Sequence, residues 1–419
     1  MKSSVWRTAL VVIVAGCAIS TIGFGIRAVF GLFLEPMTAA RGWSRETFAL
    51  AMALQNLLWG VALPFAGAMA DRVGPVRVII LGALIYAVGV WGMSASETSF
   101  ALYLTGGILT GTGVAFSAFS IALAAMARAV GPEKRSLVLG LGTAAGSFGQ
   151  VLFSPIAQGF ISAFGWHATL LVFAATTLAM IPLALLLPND PSDPAASAAA
   201  GARAEQTLAQ AMAEALAHRG YILLTVGFFV CGFHVAFITV HFPVYVTDLG
   251  MPPAVGAYAI ALIGLFNIAG SFLSGMAGQY WSKKCGLSAI YAARAVCIFL
   301  LLVAPKNELT VYLFAGAMGI LWLSTVPLTT GIVAQVFGVR YMATLFGLVF
   351  LSHQLGSFIG IWLGGRLYDN SGSYDGMWWA GIVAGVLAAL VHLPINEKPL
   401  ARLSAGTPAA DHKPAAAEG

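Results

Sequence analysis

Twelve long apolar stretches constrain this chain more than any other feature of its sequence. Each has about 18 to 28 residues and few charges, which is the length that a helix needs to cross the hydrocarbon core of a bilayer. The predicted spans are residues 9–34, 47–69, 78–95, 100–127, 136–161, 168–187, 221–246, 254–277, 287–304, 309–336, 342–366 and 377–395. A membrane barrel would instead show alternating segments of about ten residues. The sequence therefore predicts an all-α membrane protein with twelve transmembrane helices.

The composition excludes the soluble classes of protein. Hydrophobic residues make up 59% of the 419 residues and charged residues only 9%, whereas soluble chains average about 45–50% and 25%. So few charges cannot solvate the surface of a compact soluble protein, which excludes a soluble enzyme. The formal net charge of +5 would favour a nucleic-acid partner only if the basic residues formed a patch. They are spread over the loops, so no nucleic-acid partner is expected.

The basic residues between the predicted helices indicate the orientation of the chain. With the amino terminus inside, fifteen Lys and Arg residues fall on the cytoplasmic side and four on the other. Those four are Arg41, Arg45, Lys306 and Arg366. This excess follows the positive-inside bias of membrane proteins. We therefore expect a multi-pass protein of the inner membrane with both termini in the cytoplasm.

A polar segment divides the chain into two halves. Residues 188–220 are rich in proline and then in alanine with scattered charge, which is typical of a linker. We expect an amino-terminal six-helix bundle at residues 1–187, a carboxy-terminal bundle at 221–397 and a disordered cytoplasmic tail at 398–419. The loop Gly67–Arg77 has a counterpart in the second half, Gly275–Lys284, at an offset of 208 residues. This internal repeat predicts two pseudo-symmetric bundles with a binding site between them, near the middle of the membrane.

The loop after the second predicted helix carries the most specific motif. Its residues Gly67, Asp71, Arg72, Gly74 and Arg77 resemble the corresponding loop of the major facilitator superfamily of transporters, and the resemblance covers essentially the whole chain. It implies transport by alternating access. It also implies a gating role for the acid and the two arginines, because an acid at a helix end can hold basic partners in one state and release them in another.

Further motifs resemble the monocarboxylate-transporter and oxalate/formate-antiporter branch of that superfamily. They include Arg27 followed by Glu35 and Pro36, and the run from Ser352 to Asp375. The chain departs from the branch in the eighth predicted helix, where residues 261–268 contain neither an acid nor an arginine. His353 stands where the oxalate/formate type has a lysine. These departures disfavour recognition of a dicarboxylate by two fixed cations.

Arg27 is the residue that we expect to meet the substrate. It lies about seven residues, or roughly 10 Å, from the outer end of the first predicted helix. A buried guanidinium needs a partner, and no carboxylate lies deep in any predicted helix. A substrate carboxylate fits the two-pronged geometry of arginine. A structural or gating role for Arg27 is the alternative. Arg294, by contrast, is close enough to the cytoplasmic end of its helix to reach the inner membrane interface, and a place in the cavity lining is the alternative.

Polar residues at mid-depth complete the predicted site, because polar groups seldom face lipid. The substrate-binding candidates besides Arg27 are Gln55, Asn56, Gln150, Asn267, Trp322 and Gln354. Some of them could instead join helices through hydrogen bonds. His234 and His353 are candidates for proton coupling because the imidazole pKa is ordinarily near 6.5. A neutral, hydrogen-bonded core position is the alternative for both histidines.

These expectations describe a secondary transporter, functional as a monomer, that moves a small organic anion. We expect a monocarboxylate bound through Arg27, with proton symport and anion exchange both open. No metal or cofactor is expected, since the four cysteines lack metal-ligand spacing. No enzyme activity is expected either, since the sequence shows no pair of nucleophile and base. One alternative is a larger amphipathic or aromatic solute, as in drug efflux or vitamin uptake. A more remote alternative is a non-transporting membrane sensor.

Overall fold

The computed structural model describes residues 8–117, 119–130, 134–189, 206–338 and 341–401. Within these ranges the chain is helical and contains no β-strand. Residues 190–205 of the predicted linker and residues 402–419 of the predicted tail lie outside the described residues. The spans are α1 (Ala9–Arg41), α2 (Arg45–Val73), α3 (Pro75–Ala95), α4 (Ser99–Arg128), α5 (135–164), α6 (166–185), α7 (Arg219–Asp248), α8 (Pro253–Tyr280), α9 (Lys283–Val303), α10 (Glu308–Phe337), α11 (Met342–Ser371) and α12 (Asp375–His392).

The helices α5 and α6 form one nearly continuous run that breaks at a single glycine. Eleven helices of the described chain are long and apolar enough to cross a membrane, and one of them contains both α5 and α6. Gly165 interrupts this run with φ 79° and ψ 166°, a backbone conformation that glycine adopts without steric conflict. The fifth and sixth predicted helices are therefore both present, and the prediction of an all-α protein with twelve transmembrane helices is confirmed.

The first helix is longer than its apolar pattern indicates. The predicted span ends at residue 34, before Glu35 and Pro36, but the chain continues through a 3₁₀ turn (Phe30–Phe33) and further helix to Arg41. Proline is tolerated there because it falls in the first turn of the new helical segment, where its missing N–H has no helical partner. Arg27 therefore lies near the middle of α1, about 21 Å from Arg41 at 1.5 Å per residue. The predicted distance of 10 Å was too short.

The tenth helix is broken in its middle. Its two segments are Glu308–Leu321 and Thr325–Phe337. The N–H of Val326 bonds to the carbonyl of Leu323 rather than to that of Trp322, and Pro327 has no N–H to donate. The carbonyls at the end of the first segment are thus left without helical donors and need other partners.

Two seams join the first six spans to the last six. The helix α2 packs against α11, and α5 packs against α8. Glycines allow this approach: a Cβ added to Gly365 would lie 2.8 Å from the Cα of Glu46, and one added to Gly264 would lie 3.0 Å from the Cβ of Gln150. Close contact through small residues is typical of helices packed in a membrane.

The bundle has two ends, which we name by their loops. The linker end carries the turns after α2, α4, α8 and α10 and a short linker helix, Leu208–Ala217. The far end carries the turns after α1, α3, α5, α7, α9 and α11. At the linker end, α2 stops at Gly74 with φ 91°, and Pro75 begins α3, a use of glycine and proline that suits a tight turn.

Candidate functional site

A cavity of about 200 Å³ lies between the two halves at mid-span. Its walls come from α1, α2 and α5 on one side and from α7, α8, α10 and α11 on the other. Six of the residues that line it are aromatic: Phe24, Trp59, Phe228, Trp322, Phe346 and Phe350. Arg27 is the one arginine, and no lysine or acid accompanies it, among the described residues of the lining. The cavity is therefore an apolar chamber with a single permanent charge.

Arg27 has few partners for a charged group in this setting. Its Nη1 donates to Oδ1 of Asn56 at 3.1 Å, and its Nε is buried without a hydrogen-bond acceptor. The guanidinium carbon lies 4.6 Å from the ring centroid of Trp59 and 4.9 Å from that of Phe24. Such cation–π contacts contribute about 2 kcal/mol when desolvated, less than the several kcal/mol that burying the charge costs. Among the described residues Arg27 has no carboxylate partner.

Asn56 holds its side chain toward Arg27 and its backbone toward α11. Its Nδ2 donates to the carbonyl of Met52 at 2.9 Å, which leaves Oδ1 to accept from Arg27. Its backbone carbonyl accepts from Nε2 of Gln354 at 2.7 Å. Asn56 lines the cavity, whereas Gln354 is fully buried behind it. This pair connects the two halves through α2 and α11.

His353 continues this connection into the cavity. Its Nδ1 lies 2.9 Å from Oε1 of Gln354, and because that oxygen can only accept, Nδ1 carries the hydrogen and Nε2 carries the lone pair. The imidazole stacks on Phe350 at 5.5 Å between ring centroids and 9° between planes. A chain of hydrogen bonds therefore runs from His353 through Gln354 and Asn56 to Arg27, across α11, α2 and α1.

Two further predicted residues reach the cavity and two do not. Gln150 lines the cavity and donates to the carbonyl of Ile260 at 2.9 Å, while Trp322 enters from the break in α10. Gln55 instead donates to the carbonyl of Gly106 in α4 at 3.1 Å. Asn267 lies in the seam between α5 and α8. The structure thus places Gln55 and Asn267 in helix packing rather than in the central cavity.

Asn267 serves the break in α10. Its Oδ1 accepts from the backbone N–H of Leu323 at 3.0 Å, and its Nδ2 donates to the hydroxyl of Ser147 at 3.0 Å. One amide thereby satisfies a backbone group freed by the break and ties it to α5. This use of a polar side chain is common where a membrane helix is interrupted.

The other mid-helix histidine faces away from the cavity. Nε2 of His234 lies 2.8 Å from the carbonyl of Gly381 in α12, so this nitrogen donates, and Nδ1 is buried without a partner. His234 does not line the central cavity. The structure therefore separates the two proton-coupling candidates: His353 has access to the cavity and His234 joins α7 to α12.

Arg294 lies at the middle of α9 and is fully buried. The expectation that it reaches the membrane interface is wrong, because the broken α10 offers it partners inside the bundle. Its Nη2 donates to the carbonyl of Leu321 at 2.8 Å and also to that of Trp322. The same nitrogen lies 3.6 Å from Sγ of Cys231, which contacts the hydroxyl of Thr325. The negative end of the first α10 segment helps to stabilise this charge.

The proposed gating residues lie at the linker end. Asp71, Arg72 and Arg77 are all exposed, at the end of α2 and the start of α3. Their turn is held against the end of the sixth span, since the N–H of Val76 donates to Oδ1 of Asn189 at 3.2 Å. Their part in gating remains a prediction.

A set of contacts at the far end is absent from the sequence-based expectations. We call Arg45, Glu46, Asp248 and Asp369 the far-end clamp. Arg45 donates to both oxygens of Asp248 at 2.6 and 2.7 Å. Asp369 accepts from the backbone N–H groups of Arg45 and Glu46 at 3.1 and 2.7 Å. These contacts close the far end between α2 and the helices α7 and α11.

Aromatic and polar neighbours extend the clamp. Glu46 accepts from Nε1 of Trp362 at 3.0 Å and from Arg366 at 3.2 Å. The hydroxyl of Tyr374 accepts from Arg45 at 3.2 Å, and burial raises its pKa, so it stays protonated and can donate to Nδ1 of His241 at 3.0 Å. The clusters Ser44-Arg45-Glu46 and Tyr368-Asp369 are visible in the sequence as charges beside apolar spans, but nothing in their spacing shows that they meet.

Comparison with known proteins identifies the family. The model of the Major Facilitator Superfamily matches residues 13–361. Monocarboxylate transporter 13 of Rattus norvegicus is 24% identical over 378 residues, covering 87% of this chain and 83% of that protein. Monocarboxylate transporter 11 of Homo sapiens is 26% identical over 377 residues, covering 87% and 78%. The uncharacterized MFS-type transporter YcxA of Bacillus subtilis is 23% identical over 384 residues, covering 90% and 92%.

Solved structures share the fold at low identity. A D-xylose-proton symporter superimposes with a TM-score of 0.73 at 14% identity, over 94% of this chain and 99% of that one. A bacterial homolog of the human lysosomal transporter Spinster, in an inward-facing and occupied conformation, gives a TM-score of 0.71 at 14% identity, over 91% and 95%. The chain is thus a multi-pass membrane protein with a small-molecule substrate and not an enzyme, and it belongs to the Major Facilitator Superfamily.

Proposed function

We propose that this protein moves a monocarboxylate across the inner membrane and that Arg27 binds the carboxylate. One observation carries the proposal: a permanent cation in the wall of the central cavity is bonded to a single neutral amide, that of Asn56. Its Nε has no acceptor, so an anion can complete its hydrogen bonds. The relatives named monocarboxylate transporters support the same class of substrate.

The carboxylate binds along the free edge of the guanidinium. Since Nη1 is engaged with Asn56, the edge formed by Nε and Nη2 offers two parallel N–H groups to two carboxylate oxygens. Such bidentate pairs are stronger than neutral hydrogen bonds and fix the orientation of the ligand. The anion also neutralises a charge that otherwise remains buried at a cost. Arg27 and Asn56 together are the proposed anion site.

Transport proceeds by alternating exposure of this site between two bundles, residues 1–187 and 221–397. With both termini in the cytoplasm, as the distribution of basic residues favours, the far-end clamp seals the cavity from the outside in this state. Release of Arg45 from Asp248 then accompanies opening to the outside. Asp71, Arg72 and Arg77 would form the opposing contacts at the linker end. A single chain contains both bundles, so the functional unit is a monomer.

His353 is the proposed proton carrier and His234 is not. His353 lines the cavity and is linked to Arg27 through Gln354 and Asn56. Its Nε2 lone pair can take a proton, which would add a second positive charge to a chamber that binds an anion. Anion and proton then strengthen each other's binding reciprocally, as proton symport requires. Exchange of one anion for another remains the competing mode.

Uptake into proteoliposomes tests the proposed function. Uptake of a labelled monocarboxylate is measured with and without a proton gradient, and liposomes without protein give the background. The wild-type protein is expected to take up the labelled acid above this background. Arg27→Gln is expected to abolish saturable uptake. Arg41→Gln, on the same helix but stacked on Trp166 away from the cavity, is the matched control and should retain it. Uptake by Arg27→Gln with unchanged apparent affinity would remove Arg27 from the anion site.

A further inference from the structure

The aromatic residues in the walls of the chamber bear on which monocarboxylate it accepts. Rings follow one another across it: Trp59 meets Phe350 edge-on at 5.5 Å between centroids, Phe350 meets Phe346 at 6.4 Å, and Phe346 meets Phe228 at 5.9 Å. This row begins at the ring over which the Arg27 guanidinium sits. An anion seated on Arg27 therefore has an aromatic surface beside it, continuous from α2 through α11 to α7.

Two rings of this row keep part of their surface exposed. Phe346 and Phe350 lie one helical turn apart on α11 and are only partly buried, whereas Phe228 and Trp322 are 1% and 2% exposed. Residues four apart on a helix cover the same face. The two phenylalanines thus form a ledge, here called the α11 ledge, on the wall of the cavity that α11 supplies.

The charge of the chamber restricts the ligand to one carboxylate. Beyond Arg27 the described lining supplies neutral polar groups and one histidine but no further fixed cation. Apart from His353, whose positive charge depends on a bound proton, a second carboxylate would have no cationic partner and would be desolvated against phenylalanine rings, which is strongly unfavourable. Residues 261–268 of α8, which lack the acid and the arginine of the resembling monocarboxylate carriers, supply no further charge.

The size of the chamber restricts the apolar part. Its volume of about 200 Å³ lies below the range of about 300–1,000 Å³ that is typical of pockets for drug-sized ligands. A polycyclic solute is therefore too large. An acid of two or three carbons would contact Arg27 but leave the ledge facing water or a void, and an apolar surface gains from burial only when something covers it.

We propose that the substrate is a monocarboxylate with one aromatic ring or an apolar group of similar bulk. Arg27 holds the carboxylate, and the α11 ledge of Phe346 and Phe350 packs against the ring. This inference rests on the proposed function and adds the substrate class. Phe346 and Phe350 are the residues that determine specificity, since they supply the contact that a short acid cannot make.

Competition for binding to the full-length protein in detergent tests this inference. The probes are phenylacetate, acetate, lactate, succinate and the uncharged phenylacetamide. Phenylacetate should bind at least about ten-fold more tightly than acetate, lactate or succinate, because aromatic packing and a filled apolar pocket are together worth about that factor. Phenylacetamide should bind far more weakly than phenylacetate, since it cannot pair with Arg27.

Variants of the ledge separate packing from folding. Phe350→Leu and Phe346→Leu keep an apolar side chain but lose the ring, and each should weaken phenylacetate binding several-fold more than it weakens acetate binding, so that the preference for the ring falls. Phe358→Leu is the matched control: it lies on the same helix and stacks on Trp362 without lining the cavity, so it should preserve the preference.

The possible results distinguish the two proposals. If acetate or lactate binds as tightly as phenylacetate, and both depend on Arg27, the inference about the ring is overturned while the monocarboxylate function stands. If phenylacetamide matches phenylacetate, or if Arg27→Gln binds every acid as the wild type does, the anion site itself is overturned. A ring preference that survives both ledge variants would place the ring elsewhere and contradict the role of the ledge.

Discussion

The side chain of Gln354 donates a 2.7 Å hydrogen bond to the backbone carbonyl of Asn56. This contact crosses the seam between α11 and α2 at the level of the cavity. On one side Asn56 accepts from Arg27, and on the other Gln354 accepts from His353. The only permanent charge of the described lining and its one imidazole are therefore tied together through two neutral amides.

Breaking this hydrogen-bonded link should uncouple His353 from Arg27. Gln354→Leu removes both hydrogen bonds but keeps the volume. We expect uptake to lose its dependence on the proton gradient while carboxylate binding weakens only several-fold, because each neutral bond contributes about 1 kcal/mol. Uptake at several external pH values measures this. Gln55→Leu is the control, since Gln55 bonds to Gly106 in α4, and an equal loss of pH dependence there would contradict the link.

The two histidines should behave differently. His353→Gln is expected to abolish accumulation driven by a proton gradient but to spare exchange of labelled for unlabelled anion, because exchange needs no net proton movement. His234→Gln should retain both, since glutamine can still donate to the carbonyl of Gly381. Gradient-driven uptake and exchange are measured in the same proteoliposomes. Full gradient-driven accumulation by His353→Gln would exclude it as the proton carrier.

Loss of the clamp should open the far end. Arg45→Ala removes a bidentate ion pair whose side chains are 16% and 29% exposed, worth about 1–2 kcal/mol at this partial burial. The far-end-open population should therefore rise roughly ten-fold. Spin labels at Glu97 and Glu308, exposed at far-end turns of the two halves, report the separation by double electron–electron resonance.

A second arginine provides the comparison for the clamp. Arg366→Ala removes an ion pair to Glu46 in which the arginine side chain is 52% exposed, and such pairs contribute little. It should leave the distance distribution close to that of the wild type. Indistinguishable distributions for Arg45→Ala and the wild type would show that the clamp does not hold the closed state.

The contribution of Arg294 to the stability of the protein should depend on the shape of its guanidinium group as well as on its charge. Arg294→Lys keeps a buried cation but cannot reach both Leu321 and Trp322 with a planar fork, so both the desolvation cost and unsatisfied carbonyls remain. We expect it to lower stability by about 2–3 kcal/mol and to be at least as harmful as Arg294→Met. Thermal unfolding in detergent measures the order, with Arg366→Lys as an exposed control. An unchanged unfolding temperature for Arg294→Lys would contradict the role of Arg294 at the α10 break.

The spans could be predicted from the sequence because apolar length alone defines them. The residues that face the cavity could not be predicted in this way. Gln55 and Asn56 are adjacent in a helix buried on most sides, and a rotation of about 100° per residue sends one to α4 and the other to Arg27. His234 and His353 are both near mid-helix, and only the neighbours of each helix decide which meets the cavity.

Interrupted helices account for the remaining differences. The sequence predicts that the first span ends before Glu35 and Pro36, whereas α1 continues through a 3₁₀ turn and then through both residues in helix, so that Arg27 lies deeper. The break in α10 supplies carbonyl partners that retain Arg294 inside the bundle. The far-end clamp depends on contacts between residues about 200 to 320 positions apart, which no local pattern reveals.

Equilibrium binding of a monocarboxylate to three forms of the protein tests the central claim most directly. Calorimetry in detergent compares the wild type with Arg27→Lys, which keeps the charge but loses the fork, and with Arg27→Gln, which loses both. The account predicts binding weakened roughly ten-fold by Arg27→Lys and a hundred-fold or more by Arg27→Gln, in line with about 1.5–3 kcal/mol for a charge-assisted bond. Equal dissociation constants for all three forms would contradict it.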